Sequence, residues 1–302
     1  MADEDLVERL EHLDMSPRPR KLTNTKSTNL LEIDGRTLEG GGQLLRLSLT
    51  LFALTSRPVH ISNIRGKRKP KPGLKAQHLA CVQWLARACN ATVIGAEKGS
   101  TDLVFTPGKV NGNSPVYAKS TTTGVWESEV AIGTAGSTGL LLQAILPFIL
   151  FSPPRNETGE AETASDSTAC LYILITATVT PSPLPGSAKP TPAPYILATD
   201  HLPERKTPPA RSSKFVIDAA TRCVNELCAL WTSGARADEH LGDQLVVFQA
   251  LAEGRSEVFG GDGREISLHA RTAEWVAKEV LGVRCRDDGI EGIGFEGTRF
   301  DS

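Results

Sequence analysis

The sequence predicts an α+β architecture, built from a repeated unit in which helices pack on short strands. Three observations carry this. Runs with helical apolar spacing alternate along the chain with short strand-like runs. A loop of small residues opens several of the helices. The same order of pieces recurs about three times, at weak identity, in a chain of 302 residues that has room for two or three domain-sized units.

Residues 1–28 read as a tail, a short acidic piece followed by SPRPRKLTNTKSTN. LLEIDGR reads as a strand ending in a turn, and Gly40, Gly41 and Gly42 then open a helix running to about Ala53. RPVHISNIR reads as a second strand, with Val59, Ile61 and Ile64 as its apolar positions. A helix follows the basic loop GKRKPKPG, with Leu79, Val82, Trp84, Leu85 and Cys89 near helical spacing. ATVIGA and DLVFTPG read as short strands. Further helices are predicted at STGLLLQAILPFIL (after the glycines of AIGTAGSTG), SKFVIDAATRCVNELCALW, LGDQLVVFQALAEG and LHARTAEWVAKEVLG. Between Ser152 and Ser213 the composition shifts to Pro, Ser, Thr and Ala. One strand-like run, CLYILITATV, is predicted there between flanks too polar to order themselves, which read as loops or insertions. The expected division is therefore a tail at 1–28, a folded part at 29–151, a Pro/Ser-rich region at 152–212 and a C-terminal part at 213–302.

Hydrophobic residues make up 40% of the chain and charged residues 23%, as in ordinary globular proteins. No apolar run is long enough to span a bilayer, and the acidic start MADEDLVERLEHLD lacks the apolar core of a signal peptide, so an intracellular protein is expected. The net charge of −2 confines any nucleic-acid site to a local basic patch. The six cysteines form no CxxC pair and read as reduced core residues.

Four places hold residues suited to chemistry. The turn EGGGQLLR leads a bare backbone into a helix N-terminus, where unpaired N–H groups can bind an anion. Glu39 beside it could hold a divalent cation against phosphates, and Arg46 adds a fixed positive fork. A tight turn without ligand is the competing reading, and the stretch matches neither common nucleotide-loop pattern. Arg65, Lys67, Arg68, Lys69, Lys71 and Lys75 make a local cationic site suited to a phosphate backbone, or a solvated loop. Asp238, Glu239, Asp243 and Gln244 surround a helix start, where acidic residues also serve as ordinary caps. His269 lies between a strand-like segment and a helix; its imidazole can attack phosphorus once a partner fixes its tautomer, or it is simply structural.

Together EGGGQLLR, IRGKRKPKPGLKAQHL, GAEKGSTDLVFTPG, AGSTGLLLQAILP, DEHLGDQLVVFQALAEG and SLHARTAEWVAKE resemble, in this order, the RNA 3'-terminal phosphate cyclase family. The match runs over roughly residues 30 to 150 and from about 213 onward, and IEGIGFEG is similar to the eukaryotic branch. The resemblance implies repeats of two helices on a four-stranded sheet, the arrangement shared with EPSP synthase, with a smaller domain inserted late in the chain. It implies ATP and Mg²⁺ or Mn²⁺ as cofactors, an RNA bearing a 3'-phosphate as partner and a nuclear or cytoplasmic location. The implied reaction passes AMP from ATP to a histidine and on to the RNA 3'-phosphate; the vicinal 2'-hydroxyl then displaces AMP to leave a 2',3'-cyclic phosphate. His269 stands at the nucleophile position. His240, Leu241, Gly242, Asp243 and Gln244 match the adenylate-holding segment, with Gln143 and Gln77 as further polar contacts. Glu39 matches the metal-linked acid, and Arg46, Arg65 and Arg68 match arginines suited to phosphates.

Some family features are missing. The glycine-glycine-threonine segment expected after LFSPPRNE, a later GGGE-type segment and most of the inserted domain do not occur. The basic loop carries one extra residue before KPGL, and a usual tyrosine is His240. Two alternatives follow: a non-catalytic cyclase-like protein binding ribosomal precursor RNA or ribosome-assembly proteins, a class in which the nucleophile is missing, or a truncated inactive member.

Overall fold

The computed structural model describes residues 30–108, 116, 118–119, 126–132, 138–152, 173–179, 195–201, 213–263, 265–286 and 289–296. The predicted tail, the glycines of AIGTAGSTG before Thr138, Cys170 and the two Pro/Ser-rich flanks lie outside the described residues. Among the described residues, six helices and several mixed or antiparallel sheets make an α+β protein.

The N-terminal part runs β1 (Leu31–Asp34), α1 (Gly42–Leu54), β2 (Val59–Ser62), α2 (Ala76–Ala88), β3 (Thr92–Ile94) and β4 (Leu103–Thr106). These strands form one sheet in the order β1-β2-β4-β3. β1 and β2 pair in parallel, with Ile33 opposite Ile61, because α1 carries the chain back across the sheet between them. β2–β4 and β3–β4 are antiparallel. Period-2 alternation decides which face is covered: Val59, Ile61, Leu103 and Phe105 are buried, while His60 between them faces partly outward. Helix α1 is buried on almost every side, as its sequence QLLRLSLTLFAL requires, and packs against α2, α3 (Thr138–Phe151) and α6 (Leu268–Leu281). Its polar residues find partners inside; Thr50 Oγ1 donates to the carbonyls of Arg46 at 2.9 Å and Ala144 at 2.6 Å. Trp84 of α2 donates to Ser128 Oγ at 2.8 Å and meets Phe148 of α3 edge-on, with ring centroids 5.9 Å apart.

Two short strands, β5 (Ala118–Lys119) and β6 (Trp126–Glu127), precede α3. In the Pro/Ser-rich region β7 (Ile173–Val179) pairs antiparallel with β8 (Tyr195–His201), and α4 (Ser213–Thr232) covers the pair. β8 corrects the sequence reading, which placed a single strand, CLYILITATV, in this region. Leu197 and Thr199 alternate inward from it; Leu197 joins a small core with Leu230 and Ala235, and Thr199 Oγ1 donates to Cys223 O at 2.9 Å.

The C-terminal part runs α5 (Glu239–Leu251), β9 (Glu253–Ser256), α6, β10 (Arg284–Arg286) and β11 (Gly289–Ile293), with an antiparallel sheet in the order β10-β11-β9. Its helix ends are chemically specified. Asp238 caps α5 by accepting from the Leu241 amide at 2.6 Å, and Ser267 caps α6 by accepting from the Ala270 amide at 3.0 Å. Gly282 ends α6 at φ 73°, the left-handed conformation glycine adopts without strain. One hydrophobic core joins the N-terminal sheet, α1 to α3 and α5 to β11. Among the described cysteines, Cys81, Cys89 and Cys223 are buried and Cys285 is half-buried, but Cys228 is exposed on α4, against the expectation of a core residue. Among the described residues no helix is long and apolar enough to cross a membrane.

Candidate active site

The three glycines each have a neighbour that explains them. The turn after β1 is closed by the Thr37 amide donating to Asp34 O at 3.0 Å and the Gly40 amide donating to Thr37 O at 2.9 Å. Gly40 sits at φ 61°, and a Cβ there would come within 2.7 Å of Lys67 Cδ. A Cβ on Gly41 would overlap the Glu39 carboxylate, which folds back across it. A Cβ on Gly42 would overlap His78 and lie 2.8 Å from Arg46 Nη1. The bare backbone lets a lysine, a carboxylate, an imidazole and a guanidinium converge on one helix entrance.

The basic loop is tied to that entrance. Lys67 Nζ donates to Leu38 O at 2.8 Å, and Arg68 forms an ion pair with Glu39. Arg65 takes φ 53° and is buried; its Nη1 donates to the carbonyls of Lys71 at 3.1 Å and Gly73 at 2.9 Å. It therefore shapes the loop from inside, while Arg68 and the lysines carry its exposed charge. Arg46, on α1, is also buried and donates from Nε to Gln143 Oε1 of α3 at 2.8 Å.

Packing of α5 and α6 on the N-terminal part closes the other wall. The result is a cleft of about 780 Å³. Glu39, Arg46, Arg65, Arg68 and Gln77 line it from the N-terminal part, Gln143 from α3, and His240, Asp243, Gln244 and His269 from the C-terminal part. Ten of the twelve sequence-derived candidates are thus gathered in one place, from positions up to 230 residues apart. Leu241 and Gly242 do not line it; Leu241 is 48% exposed and its amide is taken by the Asp238 cap. A second groove of about 660 Å³, along α2 and Glu129 to Ala131, is lined mainly by small apolar residues and contains none of the candidates.

The electrostatics follow from burial next to cations. Burial lowers the pKa of Arg46, which the charges of Cys81, Glu39 and Asp243 partly offset. Burial also lowers that of Arg65, with Arg68 adding to the effect. His78 is pushed down to about 3, by burial first and then by Arg46, Arg65 and Lys75, so it is neutral at physiological pH. Its Nδ1 accepts the Lys75 amide at 3.1 Å, which leaves its proton on Nε2 beside Gly42. Burial raises the pKa of Asp243, opposed by His269 and His240. His269 sits in the first turn of α6, half-buried, with Nδ1 2.6 Å from Gln43 Oε1.

Sequence reasoning passed over two residues of this site. Gln43 follows the glycines directly and His78 follows Gln77, so both stood inside quoted motifs without a role. Their signal is that each is a buried polar side chain facing the cleft, which only the fold reveals. The Glu39 side chain is 6% exposed; one carboxylate oxygen pairs with Arg68, and Oε2 is buried without a partner. Among the described residues no cluster of three His, Cys, Asp or Glu could cage a metal. This donor set suits a hard divalent cation that takes one carboxylate and fills its other positions with phosphate oxygens and water.

A family model for RNA 3'-terminal phosphate cyclase matches residues 37–286. The protein named RNA 3'-terminal phosphate cyclase from Methanopyrus kandleri is 50% identical over 117 residues, covering 39% of this chain and 29% of that protein. The one from Sulfolobus acidocaldarius is 48% identical over 121 residues, covering 40% of this chain and 32% of its own length. The chain thus spans about a third of the length of these relatives at high identity. The one from Methanosarcina barkeri aligns over 87% of this chain and 98% of its own length at 29% identity. The family match takes in the glycine turn, the basic loop, α5 and His269 alike, and on that extent the chain belongs to the RNA 3'-terminal phosphate cyclase family.

Proposed function

We propose that the protein converts an RNA 3'-terminal phosphate to a 2',3'-cyclic phosphate, using ATP and a covalent adenylate on His269. The observation that carries this reading is the meeting of one half-buried imidazole with several guanidinium and ammonium groups in a single cleft. A cleft of that composition suits a phosphoryl group under attack by nitrogen.

In this reading His269 attacks the α-phosphorus of ATP. An N–P bond forms, the α–β bridging P–O bond breaks, and pyrophosphate leaves. Arg46 and the basic loop neutralise the charge accumulating on the phosphoryl oxygens. The adenylyl group then passes to an oxygen of the RNA 3'-phosphate, which breaks the N–P bond and restores the imidazole. The 2'-hydroxyl attacks the activated phosphorus, loses its proton and displaces AMP. Adenylation is needed because a phosphate monoester dianion offers no good leaving group. Glu39 would hold Mg²⁺ or Mn²⁺, which when bound spreads the charge of the phosphate oxygens. His240, Asp243, Gln244, Gln143 and Gln77 are assigned to the nucleotide, and Arg68 with its neighbouring lysines to the RNA end. The activity belongs to intracellular RNA processing, in nucleus or cytoplasm.

The reading extends to architecture. A C-terminal part that repeats the N-terminal one without its first strand is supported by the match of β2-α2-β3-β4, in the order 2-4-3, with β9-α6-β10-β11, in the order 9-11-10. A binding-only protein is the less favoured alternative, since it has no use for an imidazole placed among arginines.

The test is incubation with α-labelled ATP and Mg²⁺. Label should remain on the denatured protein, acid-labile and alkali-stable as a phosphoramidate is, and be absent from His269→Ala. Equal labelling of the two proteins refutes the assignment. Binding of structured RNA by a protein that never takes label would support the alternative.

A further inference from the structure

We propose that Gln43 is a two-ended clamp: its amide oxygen holds His269 in the tautomer with a bare Nε2, and its amide nitrogen receives a phosphate oxygen of the nucleotide. The inference rests on the adenylation reading above and assigns a residue to it that carries no role there.

Two observations support it independently. The first is geometric. Gln43 Oε1 lies 2.6 Å from His269 Nδ1. An amide oxygen can only accept, so with the amide in this orientation the imidazole proton is on Nδ1 and the lone pair is on Nε2. Free imidazole side chains favour the opposite tautomer, with the proton on Nε2, which would leave the outward nitrogen without a lone pair. The clamp also suits the reaction. As the N–P bond forms at Nε2, positive charge spreads over the ring while Nδ1 keeps its proton; the amide dipole facing Nδ1–H stabilises that charge, and no proton has to leave.

The second observation concerns the other end of the amide. Gln43 is only 3% exposed, yet its Nε2 is buried without any hydrogen-bond partner among the described residues. A buried donor with no acceptor is costly and rare in folded proteins. Gln43 lines the cleft with Arg46 and His269, and the acceptor missing from the protein is of the kind a bound phosphate supplies. Gln43 sits in the first turn of α1, directly after the glycines, where the helix N-terminus already favours an anion.

The test uses two readouts that do not require turnover, so that its failure is separable from failure of the cyclase reading. Histidine is labelled with ¹⁵N, His269 is identified by the signals lost in His269→Ala, and its ring nitrogens are followed through a pH titration without ligand. Binding of ATP–Mg²⁺ is measured by calorimetry. The intact protein should show a protonated Nδ1 and a bare Nε2. Gln43→Met, close in shape, should shift His269 toward the Nε2–H tautomer and weaken ATP at least about fivefold, the loss of one hydrogen bond to a charged group. Gln43→Glu should keep Nδ1–H and raise the imidazole's titration midpoint, because a carboxylate accepts that proton more strongly. It should still weaken ATP by at least as much as Gln43→Met, because it cannot donate to phosphate. A bare Nδ1 in the intact protein, or an unchanged tautomer in Gln43→Met, overturns the first half. ATP affinity unchanged in Gln43→Glu overturns the second. A protein that shows the clamp in both readouts but never takes label from ATP refutes the cyclase reading and not the clamp.

Discussion

The N-terminal and C-terminal parts contribute opposite things to the cleft. The N-terminal sheet unit brings fixed charge: Arg46 inside α1, Arg68 and its lysines on the loop, and Glu39 held by Arg68. The C-terminal unit brings two imidazoles, His240 and His269, and the buried carboxylate of Asp243. The helices that enter the cleft also begin differently. α1 begins on glycine with no side-chain cap, leaving its N-terminal amides uncapped, whereas α5 and α6 begin on Asp238 and Ser267, whose side chains occupy the first-turn amides. One helix end is bare, and the other two are closed by their caps. Neither part is a site alone.

This difference can be broken from either side. The largest effect is expected from His269→Ala. Adenylation should fall by at least about a thousandfold, as for loss of a nucleophile, while RNA affinity measured by filter binding stays the same. Loss of RNA binding as well would place the RNA site in the C-terminal unit and undo the division. Next is Arg46→Ala, which strands Gln143 Oε1 in the interior. It should lower stability to urea by about 1–3 kcal/mol, and it should raise the ATP concentration needed for half-maximal labelling.

Gly42→Ala tests the bare entrance. The new methyl would press on His78 and Arg46, so labelling should drop by about a hundredfold, the scale of an ångström-level displacement, with a smaller loss of stability. On the basic loop, Arg68→Ala should reduce the log–log salt slope of RNA binding by about one. Arg65→Ala should act instead by loosening the loop, since its guanidinium is engaged by Lys71 and Gly73 carbonyls.

A further effect is in pH dependence. The His78 pKa falls from 6.5 in the unfolded chain to about 3 in the folded protein. Between those values the unfolded state binds the extra proton, so stability is complete above about 6.5 and is lost on acidification toward 3. The slope from this group is at most about 1.4 kcal/mol per pH unit. Urea titrations of His78→Gln should be flatter than those of the intact protein across that window.

Much of this was legible beforehand for physical reasons. The helices showed because apolar spacing in runs such as LLRLSLTLFAL is long and regular. The site candidates showed because glycine, arginine and histidine were clustered in short motifs. β8 did not show, because PYILATDH is flanked by Pro-rich sequence and its burial comes from α4, a partner distant in the chain. Arg65 was legible as a cation but not as a loop brace, since its partners are backbone carbonyls that converge only after the turn forms. Gln43 and His78 needed α6 and α1 beside them before their positions meant anything.

The central claim is that a C-terminal imidazole does the chemistry at an N-terminal anion site. It is tested most directly by mass spectrometry of the protein after incubation with ATP and Mg²⁺ followed by proteolysis at mildly alkaline pH. The account predicts a single added adenylyl group, on the peptide containing His269 and on no other. An adenylyl group on any lysine of the basic loop, or on His240 or His78, would contradict it.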